Sequence, residues 1–581
     1  HTEFREKEMV KLVPGVRWST EEQTWWLPLS WAGCMQLRGV FGVDLHVGSE
    51  LAAWARDERA SRVTPCMALR EAIDSDDLAF LTTLRPFQRA GVRFLQVARR
   101  ALLADEMGLG KTVQAIAALE IAQATARGYE GQPPAYPALV VCPNSMKFTW
   151  AEEFKRWAPG RRTVIIHGTV LQRRKQIEEL RLGRAEVGII NYESLRVHTR
   201  LDTYGSVTLS EDEKTPKELN EIHFNSVVAD EAHRVKDPRA KQTRALWWMG
   251  RDATFRFALT GTPIANAPED IWTLMRFVSP EEFPAKTKFI DRYALQSWNM
   301  FGFMETVGIK QETREELFSI IDPRFIRRLK AAVLPELPDK TYATRYVEME
   351  PKQKKAYEGI RKEMMAELVG GTLLATNPLT KLTRMLQFAS AYGEGTPEEV
   401  VCSHCEGTGV LYDSAASPCP ECAGTGRVRG LRLVLTEPSC KVDALEEIVD
   451  ELGDQPAVVF AESRQLIEIA FKRLQKAGYK IGLVTGAVSA TERATYVQQF
   501  QAGQLKLLLC TLGAGGEGLT LTRASTAIFL QRSFSAVKNM QAEDRIHRIG
   551  QGAQKVTIVD IVTADSVESR VHEARREKAD M

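Results

Sequence analysis

One stretch, residues 101–119, constrains the fold more than any other part of this 581-residue sequence. It reads ALLADEMGLGKTVQAIAAL, an apolar run that breaks into glycine, lysine and threonine and then resumes with helical spacing. An apolar run, a glycine-rich break and a second periodic run predict a strand, a tight loop and a helix. A chain that places such a loop between a strand and a helix is expected to build an α/β sheet around it.

The loop also has the chemistry of a phosphate-binding turn. Two glycines without a Cβ let backbone N–H groups approach phosphate oxygens, and a helix N-terminus favours anions. The next lysine adds a charge for the β- and γ-phosphates, and the threonine adds a hydroxyl ligand for Mg²⁺. These residues are Gly108, Leu109, Gly110, Lys111 and Thr112. The pattern G-x-x-x-x-G-K-[ST] has Asp105 at its first position, and a glycine turn that caps an ordinary helix is the alternative.

Composition limits the class of protein and the ways in which it can bind a partner. The 44% hydrophobic and 26% charged residues are typical of a soluble globular protein, and no run approaches the roughly 18 apolar residues of a membrane span. With 77 Lys+Arg against 75 Asp+Glu, nucleic-acid binding must come from local patches. We therefore expect no membrane association, and a location in the cytoplasm of a bacterium or phage-infected cell, or in the nucleus of a eukaryote.

Further apolar strands alternate with helical stretches from Leu84 onward, and they predict a buried parallel sheet. They lie at residues 138–143, 163–168, 187–195, 226–233 and 255–263. Ligands of such sheets lie at the carboxyl ends of the strands, where DEAH follows the strand SVVA. There Asp230 can hold Mg²⁺, and Glu231 can polarise the attacking water. Carboxylates that merely end a strand are the alternative, and the later LTGTP at 259–263 favours the catalytic interpretation.

Together with these motifs, FIRRLKAAVLPELPDKT, LTRMLQFAS and QAEDRIHRIGQ resemble the Swi/Snf-type helicase-like ATPases of superfamily two, from about Leu84 to Ile561. That family carries an acidic residue at the position of Asp105. The resemblance implies two RecA-like parallel-sheet lobes that bind ATP between them and move along duplex DNA, with helical protrusions between the lobes. For Arg327, Arg328 and Lys330 two interpretations stay open, phosphate contact or a solvated helix face.

The resemblance also assigns roles to individual residues. It implies that Gln88 contacts the adenine, with a solvated glutamine at a helix start as the alternative, and that Gln541 faces the nucleotide from the second lobe. The glycine-rich loop that contains Gly516 can approach phosphates or ribose with its backbone, and a flexible turn is the alternative. Arg545 and Arg548, three residues apart on one helical run, would be arginine fingers that reach the γ-phosphate; an exposed Arg–Asp/Glu helix is the alternative. Backbone contacts to DNA are implied for Pro143, Asn144, Tyr192, Thr260 and Thr262 in the first lobe and for Thr485 and Thr511 in the second.

A cysteine-rich segment interrupts the chain between these lobes. Two C-x₂-C pairs are separated by thirteen residues, a spacing that suits one tetrahedral Cys₄ zinc site, and x-Gly-x-Gly follows each pair. The ligands would be Cys402, Cys405, Cys419 and Cys422. The segment resembles the zinc repeats of DnaJ chaperones. A redox dithiol is the less favoured interpretation, and the segment could be a strut, a DNA contact or the contact for a protein partner.

The N-terminal region is rich in tryptophan. Five of the eleven tryptophans lie within the first 54 residues, and the stretch from Lys11 to Trp31 predicts a hairpin around a Ser-Thr-Glu-Glu turn. These rings could be core, or they could stack on unpaired bases beside Arg17 and Arg38. The segment PGVRWSTEEQTWWLPL resembles the HARP-type substrate-recognition module of annealing helicases.

The sequence therefore predicts an α/β protein with two RecA-like lobes, helical protrusions, a small zinc-binding insertion and a small N-terminal α+β domain. The expected domains are 1–80 (HARP-like), 81–278 (first lobe), 279–395 (helical protrusions and linker), 396–430 (zinc insertion) and 431–581 (second lobe). The expected function is ATP-dependent translocation on double-stranded DNA that remodels or reanneals forked or branched DNA. A general duplex translocase that displaces bound proteins and an ATPase-silent DNA-binding recruitment module are the alternatives.

Overall fold

The computed structural model describes residues 4–75, 81–261, 269–298, 304–368, 371–374, 378–402, 405, 407–410, 417–515 and 519–579. The chain divides into two compact units, His1–Glu336 and Leu337–Met581. No helix among these described residues is long and apolar enough to cross a membrane.

The first unit begins with a small helical region that carries one hairpin. Its elements are α1 (Phe4–Lys11), β1 (Arg17–Ser19), β2 (Thr24–Trp26), α2 (Trp31–Phe41), α3 (Ser49–Glu58), a π-helical turn (Arg59–Val63) and α4 (Thr64–Glu71). Strands β1 and β2 are antiparallel, with Trp18 opposite Trp25, which confirms the hairpin predicted from the sequence. The side chain of Ser30 caps α2 by accepting a hydrogen bond from the N–H of Gly33 at 3.1 Å.

The centre of the first unit is a seven-stranded sheet in which every neighbouring pair is parallel. Its elements are α5 (Pro86–Ala98), β3 (Arg100–Leu103), α6 (Lys111–Gly128), β4 (Ala138–Cys142), α7 (Lys147–Trp157), β5 (Thr163–Ile165), α8 (Val170–Arg181), β6 (Val187–Asn191), α9 (Tyr192–His198), α10 (Glu211–Lys214), β7 (Ser226–Asp230), α11 (Lys241–Gly250) and β8 (Phe255–Leu259). The remaining elements are α12 (Glu269–Val278), α13 (Lys286–Tyr293), β9 (Ala294–Trp298), β10 (Met304–Ile309), α14 (Arg314–Ile321), β11 (Phe325–Ile326) and α15 (Lys330–Val333). The strand order is β11-β3-β8-β7-β4-β6-β5.

Continuous apolar runs form these strands because both faces of the sheet are covered by helices. All five residues of each of β4, β6, β7 and β8 are buried. The loop between β3 and α6 and the acidic end of β7 therefore lie on the carboxyl edge of the same sheet, where ligands of such folds bind.

The N-terminal region is packed onto α13 and α14 rather than standing apart from the first unit. The indole of Trp31 donates to the carbonyl of Ser319 at 3.1 Å, and the amide of Gln36 donates to the hydroxyl of Tyr293 at 3.1 Å. The buried Arg62 lies between Glu58, at 2.5 Å, and Glu282, at 3.8 Å. Polar groups buried in this way fix the docking geometry of the N-terminal helices.

The second unit contains a six-stranded sheet, again with every neighbouring pair parallel. Its first elements are β12 (Asp339–Val347), α16 (Pro351–Glu363), β13 (Met365–Leu368), β14 (Gly371–Leu374), α17 (Pro378–Ser390), β15 (Tyr392–Val401), β16 (Arg427–Thr436), α18 (Cys440–Glu451) and β17 (Ala457–Ala461). They are followed by α19 (Arg464–Lys476), β18 (Ile481–Val484), α20 (Ala490–Gln501), β19 (Leu507–Thr511), α21 (Leu512–Gly515), β20 (Thr526–Phe529), α22 (Ala536–Glu543), β21 (Lys555–Thr563) and α23 (Val567–Ala579). The strand order is β12-β21-β20-β17-β19-β18, which confirms the predicted α/β fold with two parallel-sheet lobes.

Residues 279–395 depart from the helical pattern expected there, because they also contain strands. Strands β9 and β10 pair with each other, as do β13 and β14, and β12 forms an edge of the second sheet. Helix α16 begins at Pro351 and ends at Glu363, since Met364 adopts a left-handed φ of 57°. Strand β12 was not predicted because all of its positions are exposed or half-buried, so it lacks a continuous apolar run.

Candidate active site and metal centre

The loop after β3 has the backbone of a phosphate-binding turn. Gly108 and Gly110 have φ values of 83° and 77°, in the left-handed region that favours glycine. A Cβ added to Gly110 would lie 2.5 Å from the amide nitrogen of Gln88, so glycine is required there for space as well. Helix α6 begins at Lys111, whose Nζ donates to the carbonyl of Asp105 at 2.9 Å. The loop thus presents a helix N-terminus and a lysine at the carboxyl edge of the sheet.

Asp105, which replaces the first glycine of the pattern G-x-x-x-x-G-K-[ST], anchors this loop through buried hydrogen bonds. Its carboxylate is fully buried and accepts hydrogen bonds from Arg328 Nε at 3.0 Å and from Gln114 Nε2 at 3.1 Å. Arg328 also donates to the side-chain oxygen of Gln114 at 2.8 Å. Neither sequence interpretation of Arg328 is therefore correct, because its guanidinium is buried in an ion pair and lies neither on a solvated helix face nor in a phosphate site.

The backbone around Arg328 continues the same attachment. The N–H of Ala104 donates to the carbonyl of Ile326 at 2.8 Å, and the N–H of Glu106 donates to the carbonyl of Arg328 at 2.9 Å. The carboxylate of Glu106 in turn accepts from the N–H of Lys330 at 2.6 Å. The first half of the loop is thus paired with residues 326–330, and the first of these belongs to strand β11, which extends the sheet beside β3.

Gln88 lies against the loop, and both ends of its amide are used. Its Nε2 donates to the carbonyl of Leu109 at 3.1 Å, and its Oε1 accepts from the N–H of Arg85 at 3.0 Å, at the start of α5. The side chain is buried and fixes the position of the loop relative to α5. Its predicted contact with adenine stays a prediction.

Asp230 ends strand β7 and is the acidic group of the site. One carboxylate oxygen accepts from the indole of Trp150 at 2.7 Å, and the other accepts from the N–H of Glu231 at 2.9 Å. Burial and the neighbouring charge of Glu231 raise the pKa of Asp230 to about 6, while the Trp150 hydrogen bond and the charge of Lys111 oppose this shift. The structure therefore brings Asp230 and Lys111 together at one edge of the sheet.

Glu231 is held in an unusual backbone conformation. Its φ of 48° and ψ of 49° place a residue that is not glycine in the left-handed region, which costs free energy and is common at functional sites. Its Oε2 lies 3.3 Å from Nδ1 of His233, and the same ring nitrogen lies 3.4 Å from Oγ1 of Thr260. No role was predicted for His233, although it belongs to the DEAH motif; the structure shows that it links Glu231 to the end of β8.

The two arginines predicted as fingers belong to the second unit, and they are not on a helix. Helix α22 ends at Glu543, and Arg545 and Arg548 lie in the turns that follow. The helical run predicted through them is therefore wrong. The carbonyl of Arg545 accepts from the N–H of Leu521 at 2.9 Å, so it is not available to continue a helix. The side chains nevertheless converge, because both donate to the carbonyl of Leu519, at 3.3 and 3.4 Å.

Strand β12 supports this arginine turn. Nζ of Lys340 lies 3.2 Å from Oε2 of Glu543 and 3.2 Å from Oδ1 of Asp544, and the hydroxyl of Tyr342 donates to Glu543 at 3.0 Å. The carbonyl of Pro338 lies 2.8 Å from a ring nitrogen of His547. The edge strand therefore contacts the end of α22 through two side chains, Lys340 and Tyr342, and the residue before the strand contacts the turn through its carbonyl.

The remaining predicted site residues differ in exposure. Asn144 is exposed at the end of β4, and Gln541 is buried on α22. Tyr192 is fully buried, and its hydroxyl donates to the carbonyl of Asp230 at 2.7 Å. The other predicted DNA contacts that the structure describes are buried: Pro143, Thr260, Thr485 and Thr511. Thr262 and Gly516 lie outside the described residues.

The four clustered cysteines lie at the tip of the antiparallel ribbon formed by β15 and β16, directly after the pair Val401 and Arg427. All four are buried, and their sulfur atoms lie within 4.8 Å of one another. The Cys402–Cys419 and Cys405–Cys422 sulfur separations are 3.8 and 3.7 Å. A tetrahedral zinc with Zn–S bonds of about 2.3 Å requires sulfur separations of roughly 3.8 Å, so the residues fit this metal.

The glycines after each cysteine pair build two matching turns. The N–H of Gly409 donates to the sulfur of Cys405 at 3.3 Å, and the N–H of Gly426 donates to the sulfur of Cys422 at 3.2 Å. A Cβ at either glycine would lie 2.3 Å from a carbonyl oxygen of the opposite turn. The two halves therefore approach each other backbone to backbone, as two knuckles that share one site would.

Comparison with known proteins identifies the family. The family model for the SNF2-related domain matches residues 66–391, more than half of the chain. The chain belongs to the SNF2-related family. The helicase conserved C-terminal domain matches residues 440–550 of this SNF2-related chain, a range that includes Gln541, Arg545 and Arg548.

Several curated relatives are similar to this SNF2-related chain. The TATA-binding protein-associated factor mot1 of Aspergillus fumigatus is 28% identical over 87% of this chain and 27% of the fungal protein. Protein CHROMATIN REMODELING 19 of Arabidopsis thaliana is 28% identical, with 87% and 69% covered. The solved Sulfolobus solfataricus SWI2/SNF2 ATPase core in complex with dsDNA is 22% identical over 85% of this chain and 91% of that chain, with a TM-score of 0.37. The chain spans about a quarter of the length of the fungal relative.

Proposed function

We propose that this SNF2-related chain is a DNA-dependent ATPase that translocates on double-stranded DNA and remodels or reanneals forked or branched DNA. The main support for ATPase activity is that Lys111 lies close to the strand-end carboxylates Asp230 and Glu231 at the carboxyl edge of one parallel sheet. Family membership supports the same activity, since the matched domains contain both the phosphate loop and the arginine turn.

Each group then has a defined task toward ATP. The N–H groups of the loop and Lys111 bind the phosphates, and Glu231 orients the attacking water. Arg545 and Arg548 stabilise the charge that develops on the transferring phosphoryl group, a role worth about 10³ to 10⁵ in rate. The hydroxyl of Thr112 and the buried carboxylate of Asp230 would hold Mg²⁺, which neutralises the β- and γ-phosphate charge.

Contacts with duplex DNA are expected to be mainly to phosphates and therefore independent of sequence. Exposed Asn144, at the end of β4, is the predicted contact best placed to use its side chain. The buried members of the predicted set would act through their backbone or by supporting the edge of the sheet. A protein of this kind works where DNA is present, in the bacterial or phage-infected cytoplasm or in a nucleus.

Features of the N-terminal hairpin support forked or branched DNA, rather than plain duplex, as the substrate. Trp18 and Trp26 are 43% and 55% exposed, which is unusual for indoles that serve only as core. Trp18 also meets Trp25 edge to face at 5.1 Å, and Arg17 lies directly opposite Trp26. Exposed rings beside a cation can stack on unpaired bases, and the rigid attachment to the first unit would present them at a junction. This supports a HARP-like role.

The first test measures ATP hydrolysis without nucleic acid and with single strands, plain duplex and forked duplex, at matched nucleotide concentration and fixed salt. We expect stimulation by DNA that is strongest with the fork, and its loss in Lys111→Ala and Glu231→Gln. Equal stimulation by every duplex would favour a general translocase that displaces bound proteins. No stimulation by any DNA would favour an ATPase-silent recruitment module. Hydrolysis that survives both substitutions would overturn the assignment of Lys111 and Glu231 to the active site.

A second test addresses the hairpin. The variant Trp18→Ala/Trp26→Ala should lose the preference for forked over plain duplex and keep stimulation by plain duplex, because only the unpaired bases are stacked. Tyr129→Ala removes an aromatic ring that is 71% exposed elsewhere in the same unit and is the matched control. An unchanged fork preference in the folded tryptophan variant would contradict the proposed role.

We also propose that the cysteine cluster holds one zinc ion in a DnaJ-like site. Purified protein should contain about one zinc per chain by elemental analysis, and Cys405→Ser should lose it. Cys34→Ser is the control, since Cys34 lies outside the cluster. A wild-type protein free of zinc after purification without chelator would refute the site. The site lies at the tip of the β15–β16 ribbon, and its proposed role is a contact with DNA or with a protein partner.

A further inference from the structure

A second polar pocket lies in the first unit, away from the phosphate loop. It has a volume of about 710 Å³ and is walled by the loop at 203–205, the turn at 237–239, helix α12 and the start of α13. Thr203, Asp237 and Arg239 are exposed, so the pocket opens to solvent. We call it the Arg239 pocket.

The Arg239 pocket is cationic in a chain whose charges otherwise nearly balance. Arg239, Arg276 and Lys286 line it, and Asp237 is the acid among its described lining residues. Within the part of the chain that the structure describes, none of these three cations forms an ion pair with a carboxylate. Exposed cations elsewhere in the unit commonly do, as Arg181 does with Glu178 at 2.5 Å. A local excess of unpaired positive charge is the footprint of an anionic ligand.

Arg276 is the strongest single indication. Its guanidinium lies 5.0 Å from the ring centre of Trp247 and 5.6 Å from that of Trp272, and it donates to the carbonyl of Pro284 at 2.7 Å. Its Nε is buried and has no hydrogen-bond partner among the described residues. Burial lowers the pKa of Arg276, and the neighbouring Asp202 and Tyr204 oppose this shift only in part. A half-buried guanidinium in aromatic surroundings is costly unless an anion completes its environment.

The position of the pocket in the fold points to the kind of anion. The turn at 237–239 comes shortly after the 3₁₀ helix Ala232–Val235, which contains the last two DEAH residues and follows the carboxyl end of β7. Asn144 follows β4, the strand next to β7, at the same edge. A wide, open site with spread cations suits a run of backbone phosphates better than it suits one small enclosed anion.

We propose that the Arg239 pocket binds phosphate groups of the DNA backbone and so adds a contact beyond those that the sequence predicted for the first unit. This inference rests on the proposed function, because it names where the DNA backbone is held. Arg239 and Lys286 contact the phosphates, and Arg276, fixed between two indoles, supplies a preorganised charge at the back of the pocket.

The test is the salt dependence of DNA binding by the full chain. A fluorescein-labelled duplex is titrated with wild type, Arg239→Ala/Lys286→Ala and the control Lys175→Ala, an exposed lysine of the same unit. Each lost phosphate contact should reduce the magnitude of the negative slope of log K against log salt by about 0.9 and weaken binding roughly eightfold at 0.1 M salt. We therefore expect a slope change of about 1.8 in the double variant, an unchanged slope in the control, and unchanged ATP hydrolysis without DNA.

Further readouts separate this inference from the proposed function. With Arg239 unchanged, the single variant Lys286→Arg should bind duplex DNA more tightly than Lys286→Ala, because arginine keeps the positive charge. A folded double variant with the wild-type slope would overturn the pocket assignment alone. If the slope is unchanged and the KM for ATP is altered, the pocket binds a nucleotide instead of DNA. Wild-type protein that fails to bind duplex at all would overturn the pocket and the translocase proposal together.

Discussion

The phosphate loop in the first unit and the arginine turn in the second are supported by the same stretch of chain, residues 325–347, but by different chemistry. In the first unit, the planar fork of Arg328 meets the fully buried Asp105. In the second, the single ammonium group of Lys340 is shared between Glu543 and Asp544, which are themselves almost buried. A bidentate guanidinium fixes orientation, whereas an ammonium group acts as a point charge that tolerates movement.

This difference suggests a division of labour between the two regions. Loop residues 104–106 are also paired with residues 326–330 through backbone hydrogen bonds, so the phosphate loop is held rigidly on its sheet. The arginine turn is held through side chains of β12 and a contact from Pro338 to His547. We infer that the loop is preorganised for ATP, while the arginine turn can adjust.

The largest effect should follow from breaking the buried pair in the first unit. Arg328→Ala leaves the carboxylate of Asp105 buried without its cation, and we expect a loss of about 3 to 5 kcal/mol in the free energy of unfolding. Urea denaturation monitored by tryptophan fluorescence measures this loss. Arg327→Ala is the matched control, because Arg327 is exposed and adjacent, and it should change stability by less than about 0.5 kcal/mol.

A double replacement shows whether that loss comes from the unpaired charge. Arg328→Met/Asp105→Leu removes both ions and should recover much of the stability, since apolar residues of similar volume can replace a buried ion pair. ATP affinity should stay weakened, because the loop loses its orientation along with the fork. If Arg328→Ala proves as stable as Arg327→Ala, the contrast between the two regions is wrong.

The features that could be predicted from the sequence are those whose signature lies within a few neighbouring residues. The loop at 108–112 and the strand-end Asp230 were predictable because glycine at positive φ, continuous apolar runs and carboxylates at strand ends each have a signature within a few residues. The cysteine cluster was equally local, with all of its ligands within one ribbon. The fold class followed from the alternation of strands and helices.

The strands that support the phosphate loop and the arginine turn could not be predicted, because they depend on pairing between distant segments of the chain. Strand β11 is two residues long and pairs with β3, more than two hundred positions earlier in the chain. Strand β12 joins a sheet whose neighbouring strand begins at Lys555. Helical spacing suggested that α22 would continue through Arg545, but the carbonyl of that residue is taken by Leu521. Tertiary contacts overrode local propensity in each case.

An intermediate effect is expected from the cation of the second unit. Lys340→Met leaves Glu543 and Asp544 without a shared cation, although Arg532 still pairs with Glu543 at 2.6 Å. We expect a loss of about 1 to 3 kcal/mol in stability, smaller than for Arg328→Ala because one compensating charge remains. The DNA-stimulated kcat should fall more than the KM for ATP changes, because the arginine turn acts in the transition state. An altered KM with kcat unchanged would assign Lys340 to ATP binding.

The smallest effect should come from the hydroxyl that accompanies this lysine. Tyr342→Phe removes one hydrogen bond, 3.0 Å long, to a carboxylate of Glu543 that keeps two cations. We expect a loss of about 0.5 to 1.5 kcal/mol in the free energy of unfolding and nearly normal DNA-stimulated hydrolysis. Tyr346→Phe, on the same strand and half exposed, is the control. If Tyr342→Phe lowers kcat as much as Lys340→Met does, orientation rather than charge holds the arginine turn, and the two regions are supported more alike than their side chains suggest.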